Sequence, residues 1–210
     1  MNKFKYIFFI VFLIPSICLA QSKDLLIKKI EQRYANKSFQ ADFFQQSILK
    51  ALDIKQAAGG YVIFSHPGKM YWKYNFPDSQ EIITDSKTVW IYSHEDNQVT
   101  KALAGDYFKE GNGGSFLSNI NSMDKNYDIK TKELEETEKQ LLVLTPFNKR
   151  AIAEIEIIVL KENGKIISVK TTNQSSDETV LIFKNEKFLT EIDETIFKFT
   201  PPENASITNF

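Results

Sequence analysis

The chain has 210 residues and a formal charge of −1, with 42% hydrophobic and 25% charged residues. These values are ordinary for one soluble globular domain, and they exclude a disordered chain and a multi-span membrane protein. The balanced charge offers no attraction for nucleic acid, and two His with one Cys are too few for a zinc site or a disulfide. The unusual quantity is the aromatic content of 13%, carried mainly by 17 Phe and 8 Tyr.

The first twenty residues are predicted to be a signal peptide. Two lysines precede an apolar run from Tyr6 to Ile14, and the small residues Cys18 and Ala20 stand at the usual cleavage positions. The apolar run is short for a membrane span, which needs about 20 residues. We therefore expect cleavage after Ala20 and a soluble, cysteine-free mature domain of residues 21–210.

Lipidation of Cys18 is not expected. A lipoprotein signal requires Leu three residues before the cysteine and a small residue directly before it. Pro15 and Ile17 occupy those two positions. The mature chain is therefore predicted to be exported without an anchor.

An amphipathic helix is predicted over Asp24–Tyr34. Leu26, Ile27, Ile30 and Tyr34 share one helical face, and charged residues fill the rest. Ser22 or Asp24 could cap its start.

Short strands follow along most of the remaining chain. Alternating or fully apolar patterns predict them at Phe39–Gln46, Tyr61–Phe64, Met70–Asn75, Glu81–Thr84, Thr88–Tyr92, Gln98–Ala102, Leu141–Thr145, Ile152–Leu160, Lys165–Thr172, Thr179–Phe183 and Phe197–Thr200. Predicted hairpin turns lie at Asp85-Ser86, near Asp96-Asn97 and at Asn163-Gly164. The acidic segment Lys132–Lys139 is predicted to be a solvated face or a hairpin tip.

One interruption breaks the series of strands. Gly111, Gly113 and Gly114 are predicted to form a hinge, followed by a short helix over Ser115–Asn121. The apolar side of that helix consists of Phe116, Leu117 and Ile120. About ten closely spaced strands with two short helices indicate a single, mainly β domain containing an antiparallel sheet or barrel.

No catalytic motif stands out. The chain lacks Gly-x-Ser-x-Gly, His-Glu-x-x-His and Cys-x-x-Cys patterns, and its glycine cluster does not follow a buried strand as a phosphate loop would. His66 and His94 lie in separate predicted hairpins without an evident catalytic partner. We expect no enzymatic activity, no metal and no cofactor. Strands that are apolar on both faces, together with amphipathic helices, instead favour a covered apolar cavity suited to lipid.

An ordered set of segments resembles the LolA family of periplasmic outer-membrane lipoprotein carriers. The matching segments are Phe39-x-Ala41-x-Phe43-x-Gln45, His66-Pro67-Gly68-Lys69, Trp72, Pro77, Gln80, Asp85–Tyr92, Leu144-Thr145-Pro146 and Phe197-x-Phe199-x-Pro201-Pro202. The resemblance implies an unclosed, strongly curved antiparallel half-barrel of about ten to eleven strands, covered by a short helical lid. It also implies a monomer that takes the acyl chains of lipoproteins from an ATP-driven inner-membrane complex and delivers them to an outer-membrane receptor lipoprotein.

The expected lipid-binding residues follow from strand alternation and from the two apolar helix faces. Met70, Trp72 and Tyr74 are predicted to face the concave side, with Ile82, Val89 and Ile91 as neighbours. The predicted lid residues are Leu26, Ile30, Phe116, Leu117 and Ile120. By the resemblance, His66 occupies the position of an arginine that latches the lid in many family members, and Ser86 replaces a usual glycine.

Two other functions share these sequence features. A receptor or sensor of the same fold would bind acyl chains but trigger different events, and we expect an additional C-terminal domain in such a protein. A carrier of another amphiphile, such as a glycolipid, would have the same apolar cavity. The sequence does not distinguish the cargo of these carriers.

Overall fold

The structure, a computed structural model, describes residues 17–109, 117, 120, 123–148 and 151–209. Twelve strands form one sheet: β1 Ser38–Leu49, β2 Ile54–Ser65, β3 Lys69–Phe76, β4 Gln80–Asp85, β5 Thr88–Ser93, β6 Gln98–Leu103, β7 Tyr127–Glu133, β8 Lys139–Pro146, β9 Ile152–Leu160, β10 Ile166–Asn173, β11 Glu178–Leu189 and β12 Ser206–Asn209. The described helices are α1 Ile17–Tyr34, α2 Ala104–Lys109, α3 Met123–Asn126 and the 3-10 helices Lys50–Leu52 and Glu194–Phe197.

The strand order is β12-β6-β5-β4-β3-β2-β1-β11-β10-β9-β8-β7. All neighbouring strands are antiparallel except β12 and β6, which run parallel. Because β12 and β7 are two separate edges, the curved sheet does not close into a barrel. The predicted mainly β, unclosed, curved antiparallel fold is therefore confirmed.

Strand β1 lies near the centre of the sheet, and its residues show why one face of the sheet is apolar and the other more polar. Phe39, Ala41 and Phe43 are buried, whereas Gln40 and Asp42 between them are exposed. Successive side chains of a strand point to opposite faces, so this alternation gives the sheet an apolar concave face and a more polar convex face.

Helix α1 ends at Tyr34, as predicted, but it begins earlier than predicted. It starts at Ile17, so Ser22 and Asp24 lie inside the helix and neither caps its start. The predicted start was wrong because a residue type that often caps a helix, such as Ser22 or Asp24, can also lie inside one. The helix here continues towards the N-terminus through apolar residues. Asn36 adopts a left-handed conformation with φ 56°, a conformation that commonly follows the end of a helix.

Most predicted turns occur where expected. Ser86, with φ 79°, turns the chain between β4 and β5, and Asp85 Oδ1 accepts the backbone N–H groups of Lys87 and Thr88 at 2.9 and 2.8 Å. Asn97 and Gly164 also have positive φ values in their hairpins. The acidic segment Lys132–Lys139 forms the tip of the β7–β8 hairpin.

The strand predicted at Phe197–Thr200 is wrong. Phe197 instead ends a 3-10 helix whose start is capped by Asp193, because its Oδ1 accepts the Thr195 N–H at 2.9 Å. Phe197 is buried, and Phe199 packs 5.7 Å from the rings of Trp90 and Tyr92. This segment thus covers part of the convex face, which accounts for strands that are apolar on both sides.

Several elements were not predicted, namely α2, α3, β7, β12 and the 3-10 helix Lys50–Leu52. In β7 only Ile129 is buried, and all four residues of β12 are exposed, so neither strand has a strong apolar pattern. The predicted leader up to residue 16, the glycine hinge and most of the predicted helix Ser115–Asn121 lie outside the described residues. Within the described part, no helix has both the length and the apolarity to cross a membrane.

Candidate functional site between the sheet and its helical cover

The concave face carries rows of side chains that run across five neighbouring strands. One row joins Phe64, Met70, Thr84, Val89 and Ala102 by direct cross-strand pairing. The next row consists of Val62, Trp72, Ile82, Ile91 and Thr100. All six wall residues predicted from strand alternation therefore share one face, Tyr74 lying two residues beyond Trp72 on β3.

Helix α1 covers part of this face with the side chains on its apolar stripe. Leu26, Ile30 and Tyr34 are buried and belong to one core cluster with Met70 and Trp72. Further buried side chains of the cover enter the same cluster: Leu117, Ile120 and Met123. The predicted lid residue Phe116 lies outside the described residues.

Among the described residues, the cover and the sheet pack closely around a small cavity. A cavity lined by Tyr34, Phe39, Phe64, Leu117 and other core residues has a volume of about 10 Å³. This volume is near the lower limit for one water molecule, whereas ordinary ligand pockets measure about 300–1,000 Å³. At this cavity the described side chains fill the apolar space, so a long apolar ligand needs the cover to move there.

Val89 and Ile91 lie apart from α1. They pack in a second cluster with Ala102, Ala104 and Tyr107, under α2 rather than under α1. Ile82 packs against both clusters and thereby joins them. The predicted wall thus extends continuously along the sheet, but two different helices cover it.

A polar clamp fixes the C-terminal end of α1 to the sheet. Arg33 Nε donates to Glu186 Oε1 at 3.1 Å, and Tyr34 Oη donates to Glu186 Oε2 at 2.6 Å. The backbone N–H of Ile166 donates to Tyr34 Oη at 2.9 Å. Burial, followed by the charge of Glu186, raises the pKa of Tyr34 well above its ordinary value, so its hydroxyl stays a donor. The Glu186 side chain is only 4% exposed.

This clamp was not predicted from the sequence, because it depends on a β-bulge in β11. Gln40 pairs with Lys187 but Asp42 pairs with Lys184, so Asn185 and Glu186 together face one residue of β1. Asn185 has φ 53° in this bulge. The additional residue reverses the alternation of β11, and Glu186 therefore points to the concave side. Simple alternation from Phe183 would have placed Glu186 on the convex face.

A second contact holds the middle of α1 against the β9–β10 hairpin. Lys29 Nζ donates to the Lys161 carbonyl oxygen at 2.7 Å. Gly164, with φ 69°, approaches the backbone so closely that a Cβ atom there would lie 2.7 Å from Ile30 N. Only glycine meets both requirements without strain.

His66 lies at the end of β2, where its ring stacks on two buried aromatic rings. The ring centroids are 5.9 Å from Phe64 and 5.8 Å from Phe39, with interplanar angles of 9° and 24°. Its backbone N–H donates to the Lys37 carbonyl oxygen at 3.2 Å. The side chain is half-buried beside the region that α1 covers. Its proposed role in latching the lid remains a prediction.

Among the described residues, no group of three or more His, Cys, Asp or Glu side chains could hold a metal ion. The buried side chains of this site offer an apolar contact surface.

Comparison with known proteins identifies relatives over most of the chain. A family model described as outer membrane lipoprotein carrier protein LolA matches residues 35–200. An outer-membrane lipoprotein carrier protein of Nitrosomonas europaea is 26% identical over 199 residues, covering 93% of this chain and 95% of its own length. A corresponding protein of Chromobacterium violaceum is 24% identical over 174 residues, or 83% of this chain and 82% of that protein.

A solved structure supports the fold. The crystal structure of a LolA superfamily protein from Nitrosomonas europaea has a TM-score of 0.51 and 12% identity, covering 84% of this chain and 97% of that chain. The resemblance seen in the sequence is thus confirmed by the family model and by curated relatives. The chain belongs to the LolA family of outer-membrane lipoprotein carrier proteins.

Proposed function

We propose that the mature protein binds the acyl chains of lipoproteins between the concave face and its helical cover, and carries them through the periplasm. In this proposal an ATP-driven inner-membrane complex releases the cargo to the protein, and an outer-membrane receptor lipoprotein accepts it. The observation that carries the proposal is the continuous apolar concave face beneath a separate helix, in a member of a lipoprotein carrier family.

The energetics of acyl chains explain why such a carrier is needed. Each methylene buried from water contributes about 0.8 kcal/mol, so exposing a chain of about 15 methylenes costs roughly 12 kcal/mol. A lipoprotein with several acyl chains therefore does not cross an aqueous compartment unaided at a useful rate.

The closed interior also gives a reason why the carrier releases its cargo. Leu26, Ile30 and Leu117 occupy the apolar space when no ligand is bound. Loading exposes these side chains, and release buries them again. Moving the cover away from the sheet therefore offsets part of the free energy gained by burying acyl chains. This lowers the net affinity of the carrier for its cargo and favours transfer to a receptor that binds the acyl chains more tightly.

Export and assembly state are parts of the same proposal. Residues 1–20 serve as a cleaved signal peptide, and the mature chain starting at Gln21 acts as a soluble monomer in the periplasm. The protein binds no nucleic acid and carries out no chemical reaction. N-terminal sequencing of the exported protein tests the cleavage site, and a chain beginning with lipidated Cys18 would contradict it.

Depletion of the protein in its native cell tests the proposed function. We expect lipoproteins to accumulate at the inner membrane and to decline at the outer membrane, as measured by membrane fractionation and immunoblotting. Re-expression of the wild-type chain should restore the distribution. An unchanged distribution would contradict the proposal and would favour a carrier of another amphiphile.

His66 is proposed to help hold the cover closed. Replacing His66→Leu removes its polar atoms and adds apolar surface at the edge of the cluster, so cargo should load normally but leave more slowly. His66→Arg should preserve both steps, since the family commonly has arginine there. A two-step assay with purified proteins measures loading and then handover. Equal handover by wild type and His66→Leu would mean that His66 is not part of the latch.

A further inference from the structure

We propose that a polar shelf at one end of the concave face binds the neutral ester and amide groups that join acyl chains to the terminal residue of a lipoprotein. The shelf consists of Tyr74, Gln45, Ser47 and Thr179. This inference rests on the proposed carrier function and adds a binding site for the non-acyl part of the cargo.

The shelf is a connected series of hydrogen bonds across three strands. Tyr74 Oη donates to Gln45 Oε1 at 2.9 Å, and Gln45 Nε2 donates to Ser47 Oγ at 3.2 Å. Ser47 Oγ lies 3.3 Å from Thr179 Oγ1. Hydroxyl and amide groups both donate and accept, so this series can reorient to include a carbonyl or an amide of a ligand.

The shelf begins where the apolar concave face ends. On β1, Phe39, Ala41 and Phe43 are buried, and the next two residues on the same face are Gln45 and Ser47. The Tyr74 ring packs edge-on at 5.1 Å from Phe43. An acyl chain lying over Phe43 would therefore bring its polar end to Gln45 and Ser47.

The buried indole of Trp72 adds a donor next to the shelf. Trp72 is 3% exposed, and its indole N–H interacts with the Tyr74 hydroxyl. Burial raises the pKa of Tyr74 to about 12, and this hydrogen-bonding interaction with Trp72 partly offsets the rise. An ester carbonyl, which only accepts, can share this donor.

An open cavity next to the shelf offers space for such groups. Its volume is about 350 Å³, and its lining residues are Gln45, Ser47, Gln56, Ala57, Ala58, Pro77 and Asp78. This lining contains no Lys or Arg, and its one charged side chain is a carboxylate. A phosphate headgroup would find no cation and would be repelled by Asp78. The site therefore favours a neutral acylated peptide over an anionic phospholipid.

Paired binding measurements test the shelf. The probes are a synthetic diacylglyceryl-cysteinyl peptide and a pyrenyl-alkane of the same chain length that has no ester or amide. Gln45→Leu and Ser47→Ala should each weaken peptide binding by about 3- to 10-fold and leave alkane binding unchanged, because each removes hydrogen bonds to the polar groups alone. Gln46→Leu, on the convex face of the same strand, is the matched control and should change neither affinity.

The outcomes separate the shelf from the carrier function. If wild type binds neither probe, the proposed function fails. If wild type binds both probes, two results would overturn the shelf inference and leave the carrier function standing. In one, the shelf variants weaken the binding of both probes equally; in the other, they weaken the binding of neither probe. Circular dichroism and thermal unfolding of each variant establish that it is folded. Ser47→Ala is the smaller change and serves as the test if Gln45→Leu does not fold.

A charge reversal tests the selection against phospholipids. Asp78 is exposed in the β3–β4 turn, so Asp78→Lys should fold normally. We expect it to increase the amount of lipid extracted from phosphatidylglycerol vesicles at least about 3-fold, whereas Asp128→Lys on the distant strand β7 should not. Equal extraction by the two variants would contradict the role of Asp78.

Discussion

Replacing Glu186→Ala is expected to lower the free energy of unfolding by about 2–4 kcal/mol and to loosen α1 from the sheet. Glu186 accepts hydrogen bonds from Arg33 and Tyr34, and its removal leaves a buried hydroxyl and a guanidinium without their acceptor. The guanidinium side chain is 22% exposed and can turn to water, which keeps the loss below that of a fully buried pair. Denaturant unfolding measures the stability, and amide hydrogen exchange in residues 23–34 measures the release of α1.

The same variant has a predicted effect on function. A looser α1 exposes the apolar interior more often, so Glu186→Ala should bind an apolar dye and load lipoprotein faster than wild type. Glu156→Ala is the matched control, because Glu156 pairs with Lys170 on the sheet without touching α1. Such a partly exposed pair contributes about 0–1 kcal/mol. Unchanged hydrogen exchange in α1 of Glu186→Ala would contradict the clamp.

Replacing Gly164→Ala is expected to cost about 2–5 kcal/mol of stability, from two causes. The left-handed backbone conformation is about 1–2 kcal/mol less favourable for alanine, and crowding in a packed region adds about 1–3 kcal/mol. The new Cβ would lie 2.7 Å from both Ile30 N and Lys29 C, which are backbone atoms and cannot rotate away. Helix α1 or the β9–β10 hairpin must therefore shift.

Gly68→Ala is the matched control for the contact with α1. Gly68 has φ 80°, similar to Gly164, and its added Cβ would lie 2.8 Å from Ser86 Cβ in a surface turn away from α1. Gly68→Ala should lose stability from backbone strain and from crowding against Ser86 but keep α1 protected from hydrogen exchange. Gly164→Ala should expose α1 to exchange. Equal effects of the two substitutions on α1 would mean that the Gly164 contact does not hold the helix.

The concave wall was predictable from sequence because strand alternation survives in β3, β4 and β5. Met70, Trp72 and Tyr74 share one face as the period of two requires. The apolar stripe of α1 was likewise visible from the spacing of Leu26 and Ile30. These features depend only on local periodicity, which the sheet preserves.

The clamp and the shelf depend on information that local periodicity lacks. The bulge in β11 places the Glu186 side chain on the concave face, and no residue pattern near Asn185 predicts this bulge. The shelf joins Tyr74 to Gln45, which are 29 positions apart, through a pairing register that the sequence alone does not specify. Phe197 lies in a segment with strand-like alternation, but it forms part of a 3-10 helix that packs on the convex face. The burial of its side chain against the sheet outweighs the local strand pattern.

Site-specific photo-crosslinking of an acylated lipoprotein is the most direct test of cargo binding on the concave face. A photoreactive phenylalanine analogue is placed either at Tyr74, on the concave face, or at Tyr71, on the convex face of the same strand. Both positions already hold an aromatic ring, so the two variants are matched. Loading with a lipoprotein that carries radiolabelled acyl chains should give labelled adducts at position 74 and background levels at position 71. Adducts at position 71 alone would contradict binding between the sheet and its helical cover.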